Sequence, residues 1–100
     1  MEAPIPPQGW ESFLALCSTL NSAKEFDRIF DLFLTMEEKN LLASRTLIIK
    51  ELLEEKLPQR EIAKIHHVSI AQITRGSNAL KRMDSPTKKF LKNTLLNWWR

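Results

Sequence analysis

Apolar residues recur at intervals of three and four along almost the whole chain, the spacing that lays them on one face of an α-helix. Trp10, Phe13, Leu14, Cys17 and Leu20 mark a first helix that begins at Gly9 or Trp10 and ends near Asn21 and Ser22. Phe26, Ile29, Phe30 and Phe33 mark a second, with Leu32 and Leu34 partly off its stripe and in need of another surface to cover them. Thr35 and Glu38 have the spacing of a capping box, so a long helix starts at Met36; its stripe, Leu41, Leu42, Ile48, Ile49, Leu52 and Leu53, runs to about Glu55. Leu57 and Pro58 interrupt the pattern, and Pro58 suits the first turn of a short helix from Gln59 to Ile65. Ser69 and Gln72 repeat the capping box before a helix from about Ile70 to Arg82. Asp84, Ser85 and Pro86 then cap a last helix in which Phe90, Leu91, Thr94, Leu95 and Trp98 are spaced to pack. No stretch alternates as a strand would. The pattern predicts an all-α fold of about six helices, with residues 1–8, which hold three of the five prolines, as a loose arm and residues 9–100 as a single helical domain.

Composition adds an expectation about assembly. A hydrophobic fraction of 43% with five Phe and three Trp is generous for 100 residues, which points to apolar faces shared with a second copy, a homodimer. The apolar runs are far shorter than the roughly 18 residues a membrane span needs, and the N-terminus has no basic and apolar signal regions, so a cytoplasmic protein without a membrane partner is expected. The one cysteine, Cys17, falls on an apolar face and reads as a buried structural thiol.

Charge divides the chain. Residues 1–56 carry six Lys and Arg against ten Asp and Glu, a balance of −4, whereas residues 57–100 carry nine against two, a balance of +7. The second half is therefore the candidate for binding a polyanion. Within it, Gln59 to Lys81 reads as two short helices around a tight turn, a helix-turn-helix spanning about 59–82. Ala63 lets the helices approach, Ile62, Val68 and Ile73 supply the core between them, and Ser69 caps the second helix. The outward residues Gln59, Arg60, Lys64, Ile70, Ala71, Gln72 and Thr74 have the sizes and polarities that reach base edges and phosphates. Ile70 and Ala71, apolar yet outward, suit a thymine methyl. His67 occupies the turn position where glycine is common, and histidine tolerates a left-handed backbone better than most residues. His66 and His67 lack a carboxylate or cysteine at ligand-like spacing and read as solvated turn residues; no metal site, catalytic motif or phosphate-binding loop is found, so an enzyme is not expected.

Two further positions are out of place. Arg45 puts a charge on the apolar stripe of the long helix, either at the edge with its head in water or lining a site. Gly76 sits inside a helix, where it costs roughly 1 kcal/mol relative to alanine. Close packing against another helix is one explanation; a ligand or a nucleic-acid backbone pressed against the helix is the other, and Arg75, Ser77 and Asn78 beside it favour the latter. On that reading Gly76→Leu blocks the ligand but leaves the fold intact, because helix propensity improves.

The run ITRGSNALK (Ile73 to Lys81), with Thr35, Arg45 and Glu51 upstream in compatible spacing, resembles the bacterial tryptophan repressor family over roughly Leu32 to Lys81. The resemblance implies a six-helix subunit intertwined with its twin, and a transcriptional repressor that takes L-tryptophan as corepressor, with no other cofactor, before binding double-stranded operator DNA. It also implies a ligand site. The indole would be sandwiched between Arg45 and Arg75, against Gly76 and Ile49; the carboxylate would be met by Arg75 and Thr35, and the ammonium by the carbonyls of Leu32 and Leu34. Ser69, Ser77, Asn78 and Lys81 join the outward residues as DNA contacts. The chain departs from the family pattern at Ala79, where a serine usually assists the ammonium, and at Gln72, which replaces a smaller threonine. A DNA-binding protein that needs no ligand, and a helical protein-interaction module, are the alternatives the residues leave open.

Overall fold

A computed structural model describes residues 4–98, with the side chain of Trp98 and the first three residues of the expected arm outside the described part. Six helices follow in order: α1 (Pro7–Ser18), α2 (Ala23–Phe33), α3 (Met36–Glu54), α4 (Gln59–His66), α5 (Ile70–Lys81) and α6 (Ser85–Trp98); no strand occurs among the described residues. Among the described residues no helix is long and apolar enough to cross a membrane. The chain divides into two compact units, Met1–Met36 and Glu37–Arg100.

In the first unit α1 begins at Pro7, two residues before the expected start, because proline suits a first helical turn and the Trp10 N–H already donates to the Pro6 carbonyl at 3.0 Å. It also ends early. The hydroxyls of Ser18 and Thr19 donate at 2.7 Å to the carbonyls of Ala15 and Leu16, closing the last turn before Asn21 is reached. Ser22 caps α2 by accepting from the Glu25 N–H. The two helices of this unit meet through aromatic rings: Phe13 lies 5.8 Å from both Trp10 and Phe30, nearly parallel to each, and 5.3 Å from Phe33, edge-on. Such pairs add about 0.5–1.5 kcal/mol each beyond the area they bury. Cys17 is half-buried, not fully enclosed.

The second unit is organised around α4 and α5. Ile62 and Ile73 are fully enclosed, and Ile48 of α3 completes a cluster on which Leu52, Ala63 and Val68 pack. The core expected between the two short helices thus forms, with α3 as its third wall. The turn is made by His67 at φ 53° and ψ 46°, a left-handed residue that ends α4, and the Val68 N–H then donates to the Ala63 carbonyl at 3.0 Å. That bond spans six residues and brings Val68 over Ala63, the C-terminal arrangement usually built on glycine. Both halves of the capping box at α5 are made, Gln72 N–H to Ser69 Oγ and Ser69 N–H to Gln72 Oε1, each at 3.2 Å.

Asp84 starts α6. Its carboxylate accepts from the Thr87 N–H at 3.0 Å and from the Thr87 hydroxyl at 2.8 Å. The backbone bond, and after it the hydroxyl, hold the Asp84 carboxyl below its ordinary value of 3.8. A lowered folded-state pKa stabilises the charged form, so the cap is fully present above the ordinary carboxylate value and is lost as pH falls through the lowered one. Asp84→Ala is expected to fray the first turn of α6 at neutral pH, with faster amide exchange at Thr87 and Lys88, while Asp84→Asn, which keeps an acceptor, retains most of the protection. Equal exchange in wild type and the alanine variant would count against the cap.

Candidate nucleic-acid interface and ligand cavity

The helix-turn-helix presents one continuous polar face. On α4, Gln59, Arg60 and Lys64 are exposed; at the start of α5, so are Ser69, Ile70 and Ala71, and further along Thr74, Asn78 and Lys81. Ile70 is 49% exposed, an apolar side chain held in water at the leading end of the helix. Positions 70, 74, 78 and 81 stack along one side of α5, because residues three and four apart share a face. Ile62 and Ile73 point the other way, into the core, and fix the angle between the helices.

Two expected DNA contacts sit deeper. Gln72 is half-buried with its amide oxygen committed to the Ser69 N–H, and it lines the cavity described below. The capping-box spacing was the signal for that second role. Ser77 is half-buried at the far end of the face. His66, expected to be solvated, is instead turned inward: its Nε2 lies 3.8 Å from the Glu51 carboxylate of α3 and is buried without a hydrogen-bond partner. His66 stands four residues after Ile62, on the face of α4 that meets α3, whereas His67 is exposed.

Behind α5 is a cavity of about 250 Å³ between α3 and α5. From α3 it takes Arg45, Ile48 and Ile49; from α5 it takes Gln72, Arg75, Gly76 and Ala79. This is slightly below the range of sites for drug-sized ligands, a volume suited to something smaller. Arg45, Ile49, Arg75, Gly76 and Ala79, expected at one ligand site, therefore line one space. Arg45 is exposed and lines the cavity, so the charge on the α3 stripe stands where the stripe meets solvent. Ile48, whose spacing places it only on the apolar stripe, is a lining residue as well. Leu32, Leu34 and Thr35 belong to the first unit, at the end of α2: Leu32 is 81% exposed, and the Leu34 N–H donates to the Phe30 carbonyl at 2.8 Å.

Gly76 also packs against α3. A Cβ built there would lie 3.3 Å from Ile48 Cγ2, 3.4 Å from Leu52 Cδ1 and 3.5 Å from Ile49 Cδ1. The contacts are close enough that the bare backbone eases the packing of α5 on α3, in keeping with the close-packing explanation. Gly76 also lines the cavity, but the direction its side chain would take is toward packed α3 side chains, so a large residue there strains the core as well as the cavity.

Comparison with known proteins places the chain in a family. The family model described as "Trp repressor protein" matches residues 8–95. A "Trp operon repressor homolog" of Chlamydia caviae is 56% identical over 85% of this chain and 84% of its own length. One from Chlamydia trachomatis serovar D is 52% identical over 87% of this chain and 93% of its own, and one from Haemophilus influenzae is 33% identical over 86% and 85%. With a helix-turn-helix on an all-helical frame and a match across nearly its whole length, the chain belongs to the Trp repressor family, whose members are DNA-binding transcriptional repressors and not enzymes.

Proposed function

We propose that the protein is an aporepressor of tryptophan-related genes that binds L-tryptophan in the cavity between α3 and α5 and, so loaded, binds operator DNA and blocks initiation of transcription. The observation that carries this reading is the cavity itself: Ile48 and Ile49 supply apolar lining, Arg45 and Arg75 line it from α3 and α5, and the recognition helix is one wall. An indole is flat, and an arginine plane on each face of it makes cation–π contacts of about 0.5–2 kcal/mol each. Arg75 also pairs with the carboxylate, a charge-assisted bond stronger than a neutral one. The resemblance assigns the ammonium to the carbonyls of Leu32 and Leu34 and part of the carboxylate to Thr35. Carbonyls at the end of a helix such as α2 lack intrahelical donors and carry partial negative charge, which suits a cation.

Mechanistically, a ligand wedged behind α5 sets the angle at which Ile70, Ala71 and Thr74 meet the major groove. It activates only to the extent that it binds the DNA-competent arrangement more tightly than the others. Arg60 and Lys64 on α4 and Asn78 and Lys81 on α5 flank that contact with donors for phosphates and base edges.

The working unit is a homodimer in the cytoplasm. Trp10 and Leu14 on α1, Phe33 on α2, Leu41 and Leu42 on α3 and Phe90 on α6 are all exposed large apolar side chains, more than a small monomer leaves in water. Mutual burial of these faces by two intertwined subunits accounts for them, and two recognition helices about 34 Å apart then meet successive major grooves.

Calorimetric titration with L-tryptophan, followed by duplex binding with and without it, tests the reading. Saturable uptake at one site per subunit and operator binding that depends on tryptophan are expected. Duplex binding that ignores tryptophan would leave a DNA-binding protein without a corepressor.

A further inference from the structure

A second cleft lies on the other side of α5, among the C-terminal end of α3, the end of α5 and the start of α6. Its floor is apolar, from Leu52, Leu53 and Leu80, and its rim carries four lysines, Lys81 from α5 and Lys88, Lys89 and Lys92 from α6, against one carboxylate, Glu55. Among the described residues none of these four lysines is ion-paired. Lys81, Lys89 and Lys92 are exposed and Lys88 is half-buried. Four unpaired ammonium groups converging on one cleft repel each other. The arrangement is explained by a polyanion that neutralises them.

The position of the cleft identifies that polyanion. Ser77 and Lys81 line it, and both lie on the α5 side that carries Ile70 and Thr74. From Ile70 to Lys81 is eleven residues, about 16 Å at 1.5 Å per residue. The major groove is about 12 Å wide, so when the leading end of α5 is in the groove its far end, with the cleft, stands at the flanking sugar-phosphate backbone. We propose that Lys88, Lys89 and Lys92 of α6 extend the DNA interface beyond the helix-turn-helix, holding duplex phosphates outside the bases that α5 reads. This rests on the proposed operator binding and names residues outside the motif that carry it. The contribution is independent of base sequence. It raises affinity for all duplexes alike and steepens the salt dependence, because each neutralised phosphate releases condensed counterions.

The test is the slope of log affinity against log salt for the full-length protein with tryptophan present, on operator and on random duplex, for wild type and for the Lys88→Gln, Lys89→Gln, Lys92→Gln triple variant. Glutamine keeps part of the aliphatic stem and removes the charge. The slope is expected to fall by about 2.7 per bound subunit, at about 0.9 per phosphate contact, on both duplexes, with tryptophan affinity unchanged. Slopes that match those of wild type, in a variant that still takes up tryptophan, would overturn the lysine assignment while leaving the operator reading in place. A wild-type protein that binds tryptophan yet no duplex at low salt would overturn both. Should the triple variant melt early, Lys89→Gln with Lys92→Gln alone, both at exposed positions, is expected to lower the slope by about 1.8 per bound subunit, and no change there counts against the proposal equally.

Discussion

Gly76→Leu is expected to lower the melting temperature by about 10 °C and to abolish tryptophan binding with it. Replacing glycine in a helix interior normally gains up to roughly 1 kcal/mol. Here the gain is outweighed, since the first added carbon would already be 3.3 Å from Ile48 Cγ2 and the remaining three have only the Ile49 and Leu52 side chains to displace. Overpacking of that kind costs about 1–3 kcal/mol and more where backbone blocks relaxation. With four carbons to accommodate, the upper end of that range applies, and less the gain of roughly 1 kcal/mol it leaves a net loss of about 2 kcal/mol, which translates to the stated shift in a domain of this size. Because Ile48 is also part of the cluster with Ile62 and Ile73, pushing α5 away from α3 disturbs the helix-turn-helix and the cavity together. Gly76→Ala is the informative control. Its single carbon meets neighbours that must give by only a few tenths of an ångström, so stability is expected to stay within about 1 kcal/mol of wild type. Thermal melts of the three proteins decide the matter; a leucine variant that melts with the wild type would show that the helices are not as closely packed as described.

Arg75→Ala should have the opposite signature, a large loss of ligand with the fold untouched. Arg75 is exposed and contributes nothing to the buried cluster, so its removal leaves the melting temperature within a few degrees. On the proposed reading it supplies both a stacking plane, worth about 0.5–2 kcal/mol, and a hydrogen bond to a charged group, worth about 1.5–3 kcal/mol. Together these give about 2–5 kcal/mol, or a weakening of about 30-fold at the least. Calorimetry with L-tryptophan measures it directly. An alanine variant that binds tryptophan as wild type does would place the ligand elsewhere, and one that fails to fold would show that Arg75 has a structural role the cavity geometry does not suggest.

How much of this molecule could be read from its residues differs between elements. Local chemistry was legible wherever the determining interaction is short-range. The start of α3 at Met36, the capping box of Ser69 and Gln72, the left-handed turn at His67 and the Asp84 cap all depend on residues within four positions of each other, and all four fall where the spacing puts them. The core residues Ile62 and Ile73 were legible for the same reason, since a helical period and a tight turn between them leave one inward direction. The ends of α1 were misjudged because hydroxyls and a proline decided them, and apolar periodicity does not register either.

What tertiary structure alone decided is which of two roles a residue takes when local chemistry permits both. Gly76 could have met a ligand or a helix, and only the tertiary structure brings Ile48 and Leu52, from a segment more than twenty residues away, against it while also placing it in the cavity lining. His66 could have been solvated, and the packing of α4 on α3 turns it inward beside Glu51. Arg45 and Arg75, thirty residues apart in the chain, line one cavity only because α3 is the third wall of the helix-turn-helix core. The lysines of α6 become a site for the same reason: as a charge run they are an ordinary wet face, and it is the packing of α3, α5 and α6 that turns Lys88, Lys89 and Lys92 toward Lys81 around one apolar cleft. Contacts between residues distant in sequence are set by the summed packing of whole helices, and periodicity, which records only the face each helix buries, does not specify the neighbour it buries it against.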